Sequence, residues 1–164
     1  MTQTANLNAS SGARLGEVGI SEDAIAVGGS TSRGNQVYVF VKPLSGWHDM
    51  FQTARLTASD GVKNDGFGAV GISGSTVVVG APFANQATGS AYVFVEPKDG
   101  WKTTSKFSAK LRGDGVRSGD EFAAFMSLDG EVLVLGAPLG VPALPAPSTC
   151  LGSNRSDRAV RRSF

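Results

Sequence analysis

Few side chains in this 164-residue sequence have the types and spacing that catalysis needs. The one histidine, His48, is followed by Asp49, but no second histidine and no Gly-x-Ser-x-Gly elbow accompany them. A nucleophile and its general base therefore cannot be assigned. The single cysteine, Cys150, can form no disulfide within the chain, and no Cys/His cluster has the spacing of a zinc site. We predict that this chain is not an enzyme.

Carboxylates gather in two loops of similar sequence, at residues 60–66 (DGVKNDG) and 114–121 (DGVRSGDE). Carboxylate oxygens are calcium ligands, and a calcium ion takes six to eight oxygens. Asp and Asn are also common in loops because they stabilise turns. Each loop holds a basic residue, Lys63 or Arg117, that opposes cation binding. We predict no metal and no other cofactor, with calcium as the less favoured alternative.

The charge balance and the hydropathy exclude two further classes of partner. The formal net charge is +1, so the chain lacks the basic field that nucleic-acid binding usually leaves in a composition. No run of about 18 apolar residues could span a membrane, and residues 1–12 lack the apolar segment of a signal peptide. We expect no nucleic-acid partner, no membrane span and no signal peptide within this sequence.

An internal repeat determines where the carboxylate loops lie. Residues 37–43 (VYVFVKP) and the following Gly-Trp return about 54 residues later as residues 91–97 (AYVFVEP) with their own Gly-Trp. Each copy also contains short runs rich in Val, Ile, Tyr and Phe, separated by Gly, Pro, Asn, Asp or Ser, and such runs are typical of strands. Four strands in about 50 residues is the content of one propeller blade, so the sequence predicts an all-β protein of stacked blades.

The motifs of this repeat resemble a known family. Phe67-Gly68, then Gly80-Ala81-Pro82 and the closing residues 92–94 (YVF), are similar to the FG-GAP repeat of integrin alpha-chain β-propellers and of bacterial surface proteins. The likeness extends over about residues 1–138. Phe122-Ala123 replaces Phe-Gly in the third copy, and the first copy has Leu15-Gly16.

The resemblance implies blades of four antiparallel strands, here about three repeats of an incomplete propeller. It also implies a location outside the cell or on its surface, and a role in binding and adhesion without catalysis. The motif phenylalanines are expected to fill the space between blades, while the glycines let strands approach closely. The calcium loop of many integrin-type repeats is replaced by connections of about four residues, at 21–24, 73–76 and 128–131.

The repeats divide the chain into four segments. We predict a first repeat at 1–49, which begins on its outer strand, a second at 50–105 and an incomplete third at 106–138. Residues 139–164 are rich in Pro and Arg and are predicted to form a disordered tail. The repeat pattern stops so abruptly there that a truncated or frame-shifted reading is an alternative.

Three blades do not close a ring, so each end would expose an apolar blade face. Leaving a face of roughly 400 Å² exposed loses on the order of 10 kcal/mol of stabilisation from apolar burial, at about 25 cal/mol per Å². We expect either a head-to-tail homo-oligomer or flanking blades that this sequence lacks.

Loop position alone suggests the ligand-binding residues. Propellers present ligands through loops at one face, and the polar loop residues that could do so are Asn35, Asp60, Asp65, Asn85, Gln86, Asp114 and Asp120. The expected ligand is a protein or a glycan. A sugar-binding lectin is an alternative that requires exposed rings at Tyr38, Trp47, Tyr92 and Trp101. A second alternative is an accessory fragment of a larger secreted enzyme.

Overall fold

The structure is a computed structural model that describes residues 4–10, 12–140 and 160–163. The described residues form thirteen strands: β1 Leu7–Asn8, β2 Arg14–Ile20, β3 Ala24–Thr31, β4 Gly34–Val41, β5 Met50–Phe51, β6 Ala54–Leu56, β7 Ala69–Ser73, β8 Thr76–Ala81, β9 Ser90–Val95, β10 Ala109–Leu111, β11 Phe125–Asp129, β12 Val132–Gly136 and β13 Val160–Ser163. A helical turn, α1, lies at Ala84–Ala87.

The strands form successive antiparallel sheets, as the repeat predicted. The first blade has the order β2-β3-β4-β6, the second has β7-β8-β9-β10, and the third has β11-β12-β13. A short parallel pair, β1 with β5, lies beside the first blade. The predicted all-β fold of propeller-type blades is confirmed.

Blades and sequence repeats are out of phase by one strand. The outer strand of the first blade is β6, which comes from the second repeat, and the outer strand of the second blade is β10, which comes from the third. Equivalent backbone hydrogen bonds recur one repeat apart. The Met50 amide donates to the Asn6 carbonyl at 3.0 Å, and the Thr104 amide donates to the Arg55 carbonyl at 3.0 Å. Each repeat therefore completes the blade of the repeat before it.

Apolar side chains fill the spaces between blades. Phe67 is 5% exposed and packs in one cluster with residues of the first and second blades, while Phe122 is 2% exposed in the cluster between the second and third. The rings of Phe67 and Tyr92 meet edge to face, with centroids 5.6 Å apart. The motif phenylalanines thus fill the space between blades, as predicted.

The motif glycines permit the blades to approach closely. A Cβ placed on Gly28 of the first blade would lie 2.1 Å from the carbonyl oxygen of Gly68 in the second. A Cβ on Gly80 of the second blade would lie 2.0 Å from the carbonyl oxygen of Ala123 in the third. No side chain fits at either position unless the neighbouring backbone moves.

The third blade differs from the prediction in its register and in its third strand. Ala69 pairs with Gly80 in the second blade, and Phe125 takes the equivalent place opposite Gly136, one residue later than the Phe-Gly motif predicts. Residues 160–163, within the segment predicted as a tail, pair with β12 and supply the third strand. The remainder of that tail, residues 141–159 and 164, lies outside the described residues.

Candidate functional site

An open groove of about 800 Å³ lies beside the outer edge of the first blade. Its walls carry two arginines, Arg33 and Arg55, together with side-chain amides and hydroxyls. The lining residues are Thr31, Ser32, Arg33, Gly34, Asn35, Gln36, Arg55, Thr57, Thr103, Thr104 and Ser105. None of these side chains is acidic, so the groove has a net positive charge and many hydrogen-bonding groups.

A tight hairpin positions Arg33. Thr31 at the end of β3 pairs with Gly34 at the start of β4, which leaves Ser32 and Arg33 as the two turn residues. The Thr31 hydroxyl donates to the Gly34 carbonyl at 2.8 Å and accepts from the Arg33 amide at 3.2 Å. Gly34 has a φ of +128°, which only glycine adopts readily. The turn therefore holds Arg33 at the rim of the groove.

The second arginine lies on the outer strand of the first blade. Arg55 in β6 stands opposite Tyr38 of β4, in the same register as Lys110 of β10 opposite Tyr92 of β9. Its amide donates to the Thr103 hydroxyl at 3.1 Å, which fixes the far wall of the groove against the strand.

The two equivalent cations have different surroundings. The Lys110 ammonium lies 2.7 Å from a carboxylate oxygen of Asp60 and 4.7 Å from the ring centroid of Tyr92. The Arg55 and Arg33 guanidinium groups make no ion pair with any residue in the described part of the chain. Both arginines are therefore available for a carboxylate or sulfate, which a guanidinium binds through two parallel hydrogen bonds.

Electrostatics explain why Lys110 is committed to the fold. The hydrogen bond from Lys110 holds the pKa of Asp60 below its usual value, although partial burial opposes this. Burial alone would lower the pKa of Lys110, but its interactions with Asp60 and Tyr92 raise it above the usual value. Burial raises the pKa of the Tyr92 hydroxyl. The pair joins the loop after β6 to the outer strand of the second blade.

Two of the seven predicted ligand residues lie next to the groove. Asn35 lines it, and Asn35 and Asp65 also line an adjoining cavity of about 150 Å³ that shares Arg33, Gly34 and Thr57 with the groove. Asp60 is exposed and pairs with Lys110, as described above. The structure therefore brings Asn35 and Asp65 together at the first blade.

The carboxylates of Asp65 and Asp120 act within their own loops. Asp65 is 8% exposed and accepts the Val62 amide at 2.9 Å, while Asp120 is 7% exposed and accepts the Arg117 amide at 2.7 Å. Each forms the same turn three residues back, so the recurrence of Asp at this position has a structural cause. Asp114 is exposed in the second of these loops.

The remaining two predicted residues belong to a contact between the second and third blades. Asn85 and Gln86, with Ala87, form a left-handed turn with φ values of 54°, 60° and 58°. The Ser118 hydroxyl donates to the Gln86 carbonyl at 2.7 Å, and the Glu121 amide donates to the Ala87 carbonyl at 2.9 Å. This turn therefore holds the loop before the third blade, away from the arginine groove.

A second open groove, of about 910 Å³, lies at the opposite ends of the strands. Its lining includes four carboxylates, Glu22, Asp23, Glu96 and Asp129. Across the described ranges, no three His, Cys, Asp or Glu side chains come close enough together to hold a metal ion.

The histidine and its neighbour have separate contacts. The His48 Nδ1 atom lies 3.1 Å from the Gly46 carbonyl oxygen, and a carboxylate oxygen of Asp49 accepts the Asn6 amide at 2.7 Å. Both side chains are exposed. These contacts tie local turns together and bring no nucleophile to His48.

Sequence reasoning missed both groove arginines. The repeat contained a usable signal. Arg55 and Lys110 occupy equivalent outer-strand positions, and Lys110 pairs with Asp60. At the position equivalent to Asp60, the first repeat has a serine, Ser11, rather than an aspartate. A basic residue that lacks the acidic partner of its counterpart in the next blade is a candidate for ligand binding. This signal requires knowing that a loop of one repeat lies beside the outer strand of the next.

Comparison with known proteins identifies part of the chain. Residues 50–94 match the family model described as FG-GAP repeat. The matched segment runs from β5 into β9 and includes both the Phe67-Gly68 and the Gly80-Ala81-Pro82 motifs. No curated protein matches the chain significantly. In the part of the chain that the structure covers, no helix is long and apolar enough to cross a bilayer.

Proposed function

Because residues 50–94 form an FG-GAP repeat, we propose that this chain is a non-catalytic binding and adhesion scaffold of an extracellular or cell-surface protein. Its blades are built from stacked strands, with loops that carry polar residues. The groove beside the first blade is the proposed ligand site. The proposed ligand is an extended, acidic segment of a partner protein.

The observation that carries this proposal is the pair of uncommitted arginines in the groove. Arg33 and Arg55 line one surface with hydroxyl groups of Thr57, Thr103 and Ser105. A guanidinium binds a carboxylate bidentately, and the hydroxyls match the amide and carbonyl groups of an extended peptide. An acidic peptide therefore satisfies both kinds of group in the groove.

A lectin is less well supported. Sugar binding by aromatic stacking needs exposed rings, but Tyr38 is 0%, Tyr92 1% and Trp101 6% exposed. Trp47 is half-buried and packs against the cluster around Tyr38 and Phe40. The aromatic residues stabilise the blades, and the groove itself contains no aromatic ring.

The absence of catalysis is part of the proposal. Within residues 4–10 and 12–140, the contacts of His48 and Asp49 are with turn backbone and with Asn6. The accessory-fragment alternative places any reaction in another part of a larger protein, and it is compatible with the same groove.

Binding of poly-aspartate, followed by fluorescence anisotropy, tests the proposed site. Arg33→Gln and Arg55→Gln should each weaken binding about fivefold, because an exposed charge pair contributes about 1 kcal/mol. Arg14→Gln is the matched control: it removes the same charge from an exposed strand position outside the groove. Higher salt should weaken binding of the wild type more than of the variants.

Two results would reject the acidic-peptide ligand. One is an equal loss of binding in Arg14→Gln, which would mean that only net charge matters. The other is binding of a sulfated polysaccharide with no binding of poly-aspartate, which would favour a glycan.

A further inference from the structure

Apolar side chains are exposed on the outward side of the first blade and on the outward side of the third blade. On the first blade, Leu15 is 46%, Val18 52% and Ile20 72% exposed. On the third blade, Phe125 is 65% and Val132 41% exposed. All five residues lie on β2, β11 or β12, the strands at the two ends of the stack.

The exposed residues of the first blade correspond to residues of the second blade that pack against the blade before it. We call this side of a blade its front face and the opposite side its back face. By strand register, Val18 and Ile20 correspond to Val70 and Ile72, which are 4% and 5% exposed because the first blade covers them. Ile20 is exposed because no blade precedes it among the described residues.

The third blade carries the back half of the same interface. Gly136 in β12 occupies the register position that Gly80 occupies in β8. Gly28 and Gly80 each receive a backbone carbonyl of the next blade, so close that a Cβ would lie 2.0–2.1 Å from it. A Cβ on Gly136 meets nothing nearer than the Cβ of Phe125 at 3.7 Å. The Gly136 position is therefore open toward the side where a next blade would dock.

We infer that a second copy of this chain docks head to tail, with the front of its first blade on the back of the third blade of the first copy. One chain presents both halves of a contact that it makes twice internally, so a second copy fits by the same geometry. In this contact the Gly16 carbonyl region takes the place of Gly68 or Ala123 against Gly136. The two faces differ, so the association is heterologous and extends to a ring or a longer stack.

Two residues on the back face are larger than their counterparts in the second blade and limit the affinity, and the first is Phe125, which stands where that blade has Ala69. Ser127 stands where the second blade has Gly71, and a Cβ on Gly71 would already lie 3.2 Å from the Leu128 Cβ. The two chains must therefore lie further apart than two adjacent blades do. We expect association that reverses on dilution rather than a permanent oligomer.

Light scattering after size-exclusion chromatography, over a range of protein concentrations, measures the association. The wild type should rise from the 16.9 kDa monomer to multiples of that mass as its concentration increases. Ile20→Glu on the front face and Gly136→Ala on the back face should each reduce association at least tenfold. Leu44→Glu is the control, because Leu44 is fully exposed in a turn outside both faces.

A mixing experiment distinguishes this contact from a symmetric one. Ile20→Glu chains keep an intact back face, and Gly136→Ala chains keep an intact front face. A mixture of the two should form a one-to-one dimer, although neither forms one alone. A wild type that stays at 16.9 kDa throughout, an equal effect of Leu44→Glu, or a mixture that remains monomeric would each overturn the inference. Circular dichroism spectra matching the wild type establish that both variants are folded.

Discussion

Addition of a single methyl group at Gly80 should separate the second and third blades. The new Cβ would lie 2.0 Å from the Ala123 carbonyl oxygen and 3.1 Å from the Ala69 Cβ. Gly80 lies in a central strand with pairs on both sides, so its own backbone cannot move away without breaking the ladder. The third blade must therefore shift by about 1 Å or more to reach an ordinary carbon–oxygen contact.

Such overpacking costs about 1–3 kcal/mol, and the low compliance of two paired backbones places Gly80→Ala near the upper limit. Because a domain of this size is stabilised by only about 5–15 kcal/mol, the loss is a large fraction of the total. It corresponds to a decrease in Tm of about 6–12 °C.

Gly136→Ala is the matched control, since it changes the same motif position in the third blade. There the new Cβ meets only the Phe125 Cβ at 3.7 Å, an ordinary contact. Neither glycine has a left-handed φ, so alanine causes no backbone strain at either position. The control should be neutral or stabilising by about 0.4–1 kcal/mol, because alanine reduces the entropy of the unfolded chain.

Urea unfolding, followed by far-UV circular dichroism at sub-micromolar protein, compares the two variants without a contribution from self-association. From most to least stable, the expected order is Gly136→Ala, wild type and Gly80→Ala. Equal destabilisation by both substitutions would mean that the close approach between blades is not the reason for glycine in this motif. A neutral Gly80→Ala would refute the packing geometry itself.

Substitutions at four further positions test local interactions. Asp60→Asn should cost about 0.5–1 kcal/mol at pH 7. The hydrogen bond from Lys110 lowers the folded pKa of Asp60, so its stabilisation is present above the unfolded pKa and is lost as the pH falls through the folded pKa. The urea midpoints of Asp60→Asn and the wild type should therefore converge on acidification. Asp65→Ala and Asp120→Ala should each lower the free energy of unfolding by about 1–2 kcal/mol, because each removes the acceptor of a turn hydrogen bond. The Asn variants keep an acceptor and should lower it less. Thermal melts that show no difference between the Ala and Asn variants would contradict the turn role. Ala87→Gly should be neutral or stabilising by up to about 1 kcal/mol in the same melts, because Ala87 has a φ of 58°, which is unfavourable for residues other than glycine. A decrease in Tm on this substitution would argue against the left-handed turn.

The strands and their order in the blades could be predicted because the repeat displays them several times. Runs such as residues 91–95 are apolar, β-branched or aromatic, and bounded by turn residues, so local preference and burial agree. The roles of Phe67 and Phe122 were predictable for the same reason. Consistency between copies compensated for the weak signal of any single strand.

The features that the sequence did not predict depend on contacts between distant segments. Residues 160–163 contain two arginines and no alternation of apolar residues, so only pairing with β12 makes them a strand. The one-residue shift before β11 follows from pairing of Phe125 with Gly136, which a comparison of motif letters places one residue earlier. The groove arginines were missed because an unpaired charge is recognised only when its missing partner is known.

The offset between repeats and blades has a consequence for cooperativity. Because β6 and β10 each come from the repeat that follows their blade, unfolding of one repeat removes the outer strand from the blade before it. The cluster that contains Val37 and Leu56 of the first blade also contains Phe67 and Val79 of the second, so loss of either blade exposes the core of the other. Strand exchange and shared cores therefore couple neighbouring blades more strongly than contact between closed units would. That coupling also holds the arginine groove together, since its walls come from the β3–β4 hairpin of one repeat and from residues 103–105 at the end of the next.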